Sequence, residues 1–507
     1  MNLSQSRGYA LIAVGNLKFL ARGIAVNCSG MGIEGSMDMK EQKTGPDQKR
    51  GLKGEMKREM STAQAIALGF AAAVLIGSLL LCLPVSSADG TWTNYLDALF
   101  TATTSVCVTG LVVVDTYAHW SVFGQGVILL LIQCGGLGIV TFTTALMVLI
   151  GRKVTLKDRL LLSASFNLDT LQGLVRFLVR VLKGTLIVEG IGALCCLPVF
   201  VPEYGLQGIW ISIFHAVSAF CNAGMDIIGA DSLMGYVGNP WMNLVTMLLI
   251  VLGGIGFIVW WDVLRVIREI RDGNIARRFW YRQLRLHTKI VLTVTLSLVL
   301  GGALVVFLLE YGNPETLGPL PFPTKLLASV FQSVSFRTAG FATISQKGLT
   351  GGTVIVGILL MIIGGSPIGT AGGIKTTTVA IVLFTALATI KGDADVKVFR
   401  RTIPTKTLRK AISVTLVFGA VLLTMIVLMS VLEQGSLTDI AYETASALGT
   451  VGLSRSYTAT MNAAGKIVIL LCMFLGRIGP ISMAIALHMK GHSKVDVKYP
   501  EEDVTVG

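Results

Sequence analysis

Four short glycine motifs are the residues best suited to chemistry: Val108-Thr109-Gly110, Asn222-Ala223-Gly224, Thr338-Ala339-Gly340 and Thr450-Val451-Gly452. Their glycines stand 114, 116 and 112 residues apart. A second glycine or glycine pair, at 135/136, 253/254, 364/365 and 476, follows each by 24–29 residues. Glycine accepts backbone angles that a Cβ resists, so a loop built on it can turn main-chain carbonyls to one side. One such loop offers few oxygens. Four around a common axis make a ring that can replace the hydration shell of a bare alkali cation. A lone glycine after a short helix is more simply a helix stop; four in register point to a shared task. Thr109, Asn222, Thr338 and Thr450 suit a polar lining, or caps and packing contacts. Arg337 is expected to brace its loop through carbonyls rather than face a cation. Asp97, Asp226, Asp439 and Glu443 lie near the motifs but do not align into a charged ring.

The surrounding elements must carry these motifs to one place. Each motif ends a short amphipathic segment, at 95–106, 208–220, 324–336 and 438–448. An apolar span precedes each (62–83, 178–200, 288–309, 412–432) and a longer one follows (124–151, 241–266, 352–390, 465–489). Spans of about 20 residues match a bilayer, whereas shorter segments read as re-entrant helices, tolerated only where they line a cavity or are buried in protein. Composition agrees: 507 residues are 53% hydrophobic and only 14% charged, against about 25% charged in soluble chains, and mean hydropathy is +0.71. A water-soluble enzyme is excluded.

The expected fold is an all-α polytopic membrane protein, with four tandem span–pore-helix–span repeats around a pseudo-fourfold pore. Its divisions are a basic N-terminal segment (1–60), expected to be disordered, repeats at 61–152, 153–268, 269–392 and 393–490, and a tail at 491–507. Of 42 Lys and Arg, 35 fall in the N-terminal segment, the three inter-repeat loops and the tail. That bias predicts cytoplasmic termini, four like-oriented repeats and a multi-pass protein of the cell membrane. Inverted repeats would alternate the charge. The eight cysteines lack metal-ligand spacing and read as small apolar residues.

The third long span differs from the others. Gly364, Gly365, Ser366, Pro367, Gly369, Thr370, Ala371, Gly372 and Gly373 interrupt it, and Lys375 marks the inner end of the break. Such a run cannot hold a regular helix, and beneath a filter it would make a movable plug. Arg477, inside the last span, would there raise an electrostatic barrier; bracing of backbone carbonyls is the plainer role.

These motifs resemble the Trk/Ktr/HKT superfamily of potassium transporters, most nearly the bacterial Ktr membrane subunit. The resemblance covers about residues 60–507, including Arg337-Thr338-Ala339-Gly340-Phe341 and the end 499–507. It implies that the four motifs form a K+ selectivity filter, that Gly110 goes with K+ rather than Na+ preference, and that transport is sodium-dependent. It further implies an intramembrane gating loop at 364–373, a barrier role for Arg477, a homodimer and a cytosolic ring of nucleotide-binding regulatory subunits. The bound or transported ions would be K+ and also Na+. The lipid bilayer is a further expected partner, and no catalytic cofactor and no nucleic acid are expected.

The alternatives are weaker. An alternating-access Na+-coupled cation symporter needs broken spans in paired repeats, and only the third repeat reads as broken. A membrane enzyme needs clustered catalytic groups, yet the five His are dispersed and His215 reads as a packing residue.

Overall fold

The computed structural model describes residues 62–150, 154–165, 173–229 and 231–479. The expectations for 1–60, for 491–507, for the family-like end 499–507 and for the last span beyond 479 lie outside the described residues.

Within them the chain is a polytopic all-α membrane protein with a single two-stranded ribbon, Lys397–Val398 paired with Arg401–Thr402. A three-part unit appears four times. Outer helices span Thr62–Cys82, Leu174–Tyr204, Leu286–Glu310 and Thr405–Leu432. All four are long and apolar enough to cross a bilayer. Short helices follow at Tyr95–Cys107, Gln207–Cys221, Phe322–Phe336 and Leu437–Gly449. Inner helices begin at Val122, Pro240, Gly351 and Ala463. Each starts on a side-chain cap: Ser121, Asn239, Thr350 and Asn462 accept from the N–H groups of Gly124, Met242, Thr353 and Gly465. Such caps satisfy donors that have no partner within the helix.

Burial is arranged for a membrane. Outer helices show bare hydrocarbon to the surroundings, as at Leu75, Leu79, Leu186, Leu194, Leu304 and Leu423. The short helices, amphipathic in sequence, are instead enclosed: Phe100, Phe214, Phe331, Phe336 and Tyr442 are fully buried, and so are Thr103, Thr104, Ser218, Ser333 and Ser446. At 13–15 residues they are too short to span, so the outer and inner helices must wrap them.

Two expectations need correction. The spans at 124–151 and 241–266 are not single helices. Val122–Leu137 and Ile139–Ala145 meet at 104°, and Pro240–Gly254 and Phe257–Arg271 at 101°. The cause is local: Gly138 and Gly256 sit at φ 85° and 87°, where a right-handed helix cannot continue. Gly479 adopts φ 89° just after the fourth inner helix. The third repeat is therefore not alone in being interrupted. Among the described residues it alone carries a long break, residues 363–375, between Gly351–Ile362 and Thr376–Ile390.

Candidate functional site

The four short helices end at equivalent backbone geometry. Val108, Asn222, Thr338 and Thr450 lie at φ 55°, 61°, 66° and 53°, and two residues later Gly110, Gly224, Gly340 and Gly452 lie at φ 99°, 63°, 83° and 94°. A non-glycine residue in this region costs about 1–2 kcal/mol, and β-branched Val108, Thr338 and Thr450 are outliers there. Strain repeated at one position in every unit marks a functional requirement.

The glycines meet in cyclic order. A Cβ on Gly224 would stand 2.6 Å from the Gly340 Cα and 2.7 Å from the Ala339 carbonyl oxygen. One on Gly340 would stand 2.6 Å from the Val451 oxygen and 2.8 Å from the Gly224 Cα. Gly452 faces the Thr109 oxygen and Gly110, and Gly110 faces the Ala223 oxygen and Gly224. Each unit thus touches the next through a glycine Cα and the carbonyl before the neighbouring glycine. The ring leaves no room for a side chain.

The opposite edge of each loop is held by its own short helix. The hydroxyls of Thr104 and Ser446 accept from the N–H of Gly110 (2.9 Å) and Gly452 (3.1 Å). Ser218 accepts from Met225 N–H at 3.1 Å and donates to the Met225 oxygen at 2.5 Å. Ser335 donates to the Phe341 oxygen. The N–H of Thr109, Ala223 and Val451 return to helix carbonyls at 2.8–2.9 Å. Donors are consumed on the helix side while carbonyls of Thr109, Ala223, Ala339 and Val451 line the ring. The negative ends of the helix dipoles point the same way. Oxygens without competing donors suit a dehydrated monovalent cation.

A cavity of 360 Å³ opens on one side, lined by the four glycines and by residues that follow them, with Asp115, Asp226 and Asp231 against a single Lys347. Burial pushes the Asp226 carboxyl up to about 6, opposed by its bonds from Ser232 and Ile228. The other acidic residues near the motifs are committed elsewhere. Asp97 pairs with Lys466 at 2.8 Å, which ties the first unit to the fourth. Asp439 pairs with Arg455 at 2.6 Å. Glu443 accepts from Ser454 and Thr458.

The 363–375 break lies on the other side, against residues that precede the glycines. Thr370 Oγ1 reaches the Phe220 oxygen and Asn222 Oδ1, both at 3.1 Å. The Asn222 amide therefore serves the loop and, at 3.5 Å, Thr338. Backbone bonds run from Thr370 to Gly253 (3.1 Å), from Ser366 to Gly254 (2.8 Å) and from Phe257 to Ile368 (2.9 Å). Gly372 packs on the Thr450 side chain. Gly364 and Ile374 close the base of the loop, with Ser366 Oγ 2.9 Å from Thr376 Oγ1.

Three cations grip this loop through its carbonyls. Arg337 donates to the Gly364 oxygen at 3.3 Å, Lys375 to Ala371 at 2.7 Å, and Arg477 to Thr370. Arg477 also donates to the Gly135 and Gly136 oxygens of the first unit. Among the described residues none of the three has a carboxylate partner. Gly365, Pro367, Gly369, Ala371 and Gly373 complete the loop. Gly369 comes within van der Waals contact of the Gly253 and Gly254 carbonyls, where a Cβ would not fit easily.

The sequence signals for the helix-end hydroxyls and inner-helix caps were present but unused. A hydroxyl stands six residues before Gly110, Gly224 and Gly452 and five before Gly340. His215 is a packing residue, 2.9 Å from Thr246 and 4.9 Å from the Phe341 ring.

Comparison with known proteins gives the family and the fold. Residues 53–496 match the TrkH family, described as a cation transport protein. The chain is 40% identical to the Ktr system potassium uptake protein B of Bacillus subtilis, over 88% of this chain and 96% of that one. It is 37% identical to the potassium/sodium uptake protein NtpJ of Enterococcus hirae, over 90% and 99%. The crystal structure of the potassium transporter TrkH from Vibrio parahaemolyticus shares the fold, with a TM-score of 0.67 at 17% identity over 86% of each chain. These relatives are transporters, not enzymes.

Proposed function

We propose, for a chain that belongs to the TrkH cation transport family, that it is a potassium uptake transporter of the Ktr/Trk type in the cell membrane. K+ would pass through a filter made of residues 108–110, 222–224, 338–340 and 450–452, with loop 364–373, Lys375 and Arg477 as the gate. The carrying observation is the cyclic meeting of Gly110, Gly224, Gly340 and Gly452.

Each element has a physical task in this reading. The carbonyl ring supplies oxygens in place of water, and the acidic cavity concentrates cations at the entrance. The loop, held by Arg337, Lys375 and Arg477, obstructs the path on the far side. Arg337 braces the loop, and the positive charge of Lys375 and Arg477 raises a barrier that lifts when the loop moves. The repeat boundaries given above, cytoplasmic termini, a homodimer and a cytosolic nucleotide-binding ring belong to the same proposal. The relatives named as Ktr system proteins support a separate regulatory subunit. NtpJ, named for potassium and sodium, makes sodium a second ion to test. Alternating access is not favoured, because four like-oriented units surround one axis.

The test is ⁸⁶Rb+ uptake into vesicles holding the purified protein. K+ should compete and Na+ should compete poorly. Equal competition would refute the filter assignment.

A further inference from the structure

The loop joining the second and third units carries a basic patch outside the glycine ring and the 363–375 loop. It runs from the end of the inner helix Phe257–Arg271 to the start of the outer helix Leu286–Glu310, through two short turns, Arg277–Phe279 and Trp280–Gln283. One end continues into the membrane-spanning helix Leu286–Glu310 and the other into Phe257–Arg271, an amphipathic helix turned 101° from the inner helix before it, which puts the patch at the bilayer boundary.

Its arginines divide into two kinds. Arg265, Arg271 and Arg285 each have a carboxylate within 4 Å, from Asp262, Glu269 or Asp272. Arg268, Arg277, Arg278 and Arg282 are exposed and, among the described residues, have none, and the last three cluster on the two short turns. Two of the turn arginines are nonetheless ordered by one ring. The Arg278 and Arg282 guanidinium carbons lie 4.7 and 5.5 Å from the Phe279 centroid. Lys289 holds the Arg282 carbonyl at 2.9 Å, and Tyr281 is fixed to Thr293 at 2.9 Å. Trp280 beside them is 46% exposed.

The nearby ribbon continues the surface. Its turn residues Phe399 and Arg400 adopt φ 48° and 62°, and the Phe399 ring lies 6.0 Å from Tyr281. Arg400 and Arg401 are exposed. The acidic groups on the neighbouring turns are Asp272, already facing Arg271 at 3.6 Å, and the exposed Asp393 and Asp395.

We propose that Arg277, Arg278 and Arg282 bind the phosphodiester headgroup of an anionic phospholipid, with Trp280 at the interface. Guanidinium forks match phosphate oxygens. Tryptophan favours the headgroup level, and basic residues beside a span attract anionic lipid. A soluble acidic protein would satisfy the charges but not account for a half-exposed tryptophan six residues before a membrane-spanning helix. The inference depends on the membrane fold and not on the ion carried.

The test uses the purified full-length protein in detergent with an equal mixture of phosphatidylglycerol and phosphatidylcholine, the retained lipid being read by native mass spectrometry. The wild type should retain phosphatidylglycerol about fivefold or more over phosphatidylcholine. The double variant Arg278→Gln/Arg282→Gln should lose that preference, and Arg278→Lys/Arg282→Lys should keep part of it. Unchanged ⁸⁶Rb+ uptake would show that the variants fold. Equal preference in the wild type and the Gln variant overturns the proposal. So does a wild type without lipid preference that binds polyglutamate through Arg278 and Arg282, since the patch would then dock protein.

Discussion

The glycine ring and the 363–375 loop are both irregular backbone buried inside a membrane protein, yet they are secured differently. In the ring, each loop is bonded to the short helix that leads into it, as Gly110 is to Thr104 and Gly452 to Ser446. Those bonds join residues six apart in sequence and stay formed whenever the helix is formed. The 363–375 loop is closed at its base by Gly364 and Ile374 and braced by its own Lys375, but its middle is held by other segments: Phe220, Asn222, Gly253 and Gly254 of the second unit, Arg477 of the fourth and Arg337. Contacts between separate units can be exchanged without unfolding any helix. A filter needs the first kind of support and a gate needs the second.

The largest effect expected from this contrast is at the ring. Gly224→Ala puts a methyl 2.6 Å from the Gly340 Cα at a backbone angle of φ 63°. Overpacking of this kind costs about 1–3 kcal/mol, and left-handed backbone adds about 1–2 kcal/mol. K+-competed ⁸⁶Rb+ uptake should fall about a hundredfold while the protein stays monodisperse. Uptake and selectivity like the wild type's would mean that ions do not pass this ring.

At the loop the sign should reverse. Arg477→Gln removes a charge and weakens the grip on Thr370, Gly135 and Gly136. Charge-assisted hydrogen bonds contribute about 1.5–3 kcal/mol each, so ⁸⁶Rb+ flux should rise about tenfold with selectivity kept. A fall in flux would identify Arg477 as a structural brace only.

The two regions also differed in how far they could be read from sequence. Gly110, Gly224, Gly340 and Gly452 were legible because a fourfold repeat raises a weak local signal above chance, and the short helices followed within two residues of their expected ends. The bends at Gly138 and Gly256 were not. Each closes a Gly-Gly-x-Gly cluster, and glycine within an otherwise apolar run weakens a helix without fixing where, or whether, it bends. Only the packing around Gly135 and Gly253, which press on the Val106 and Phe220 carbonyls, shows why the helix must stop nearby. The loop's composition announced a break, but its partners did not. Arg477 meets Gly135 across 342 residues of chain, and no spacing rule reaches that far.

The smallest expected effect tests the contrast most sharply, because it removes one hydroxyl from each region by the same chemistry. Thr104→Val deletes the acceptor for the Gly110 N–H within the first unit. Thr370→Val deletes the donor to Phe220 and Asn222 between units. Each loss is about 1 kcal/mol, or at most about fivefold. In Thr104→Val the freed N–H disturbs the ring, so Na+ should compete better for ⁸⁶Rb+ uptake while the total flux stays near normal. In Thr370→Val the loop loosens, so flux should rise severalfold with Na+ competition unchanged. If both variants moved the same quantity, the ring and the loop would be one coupled assembly, and the distinction between internal and borrowed support would have no functional meaning.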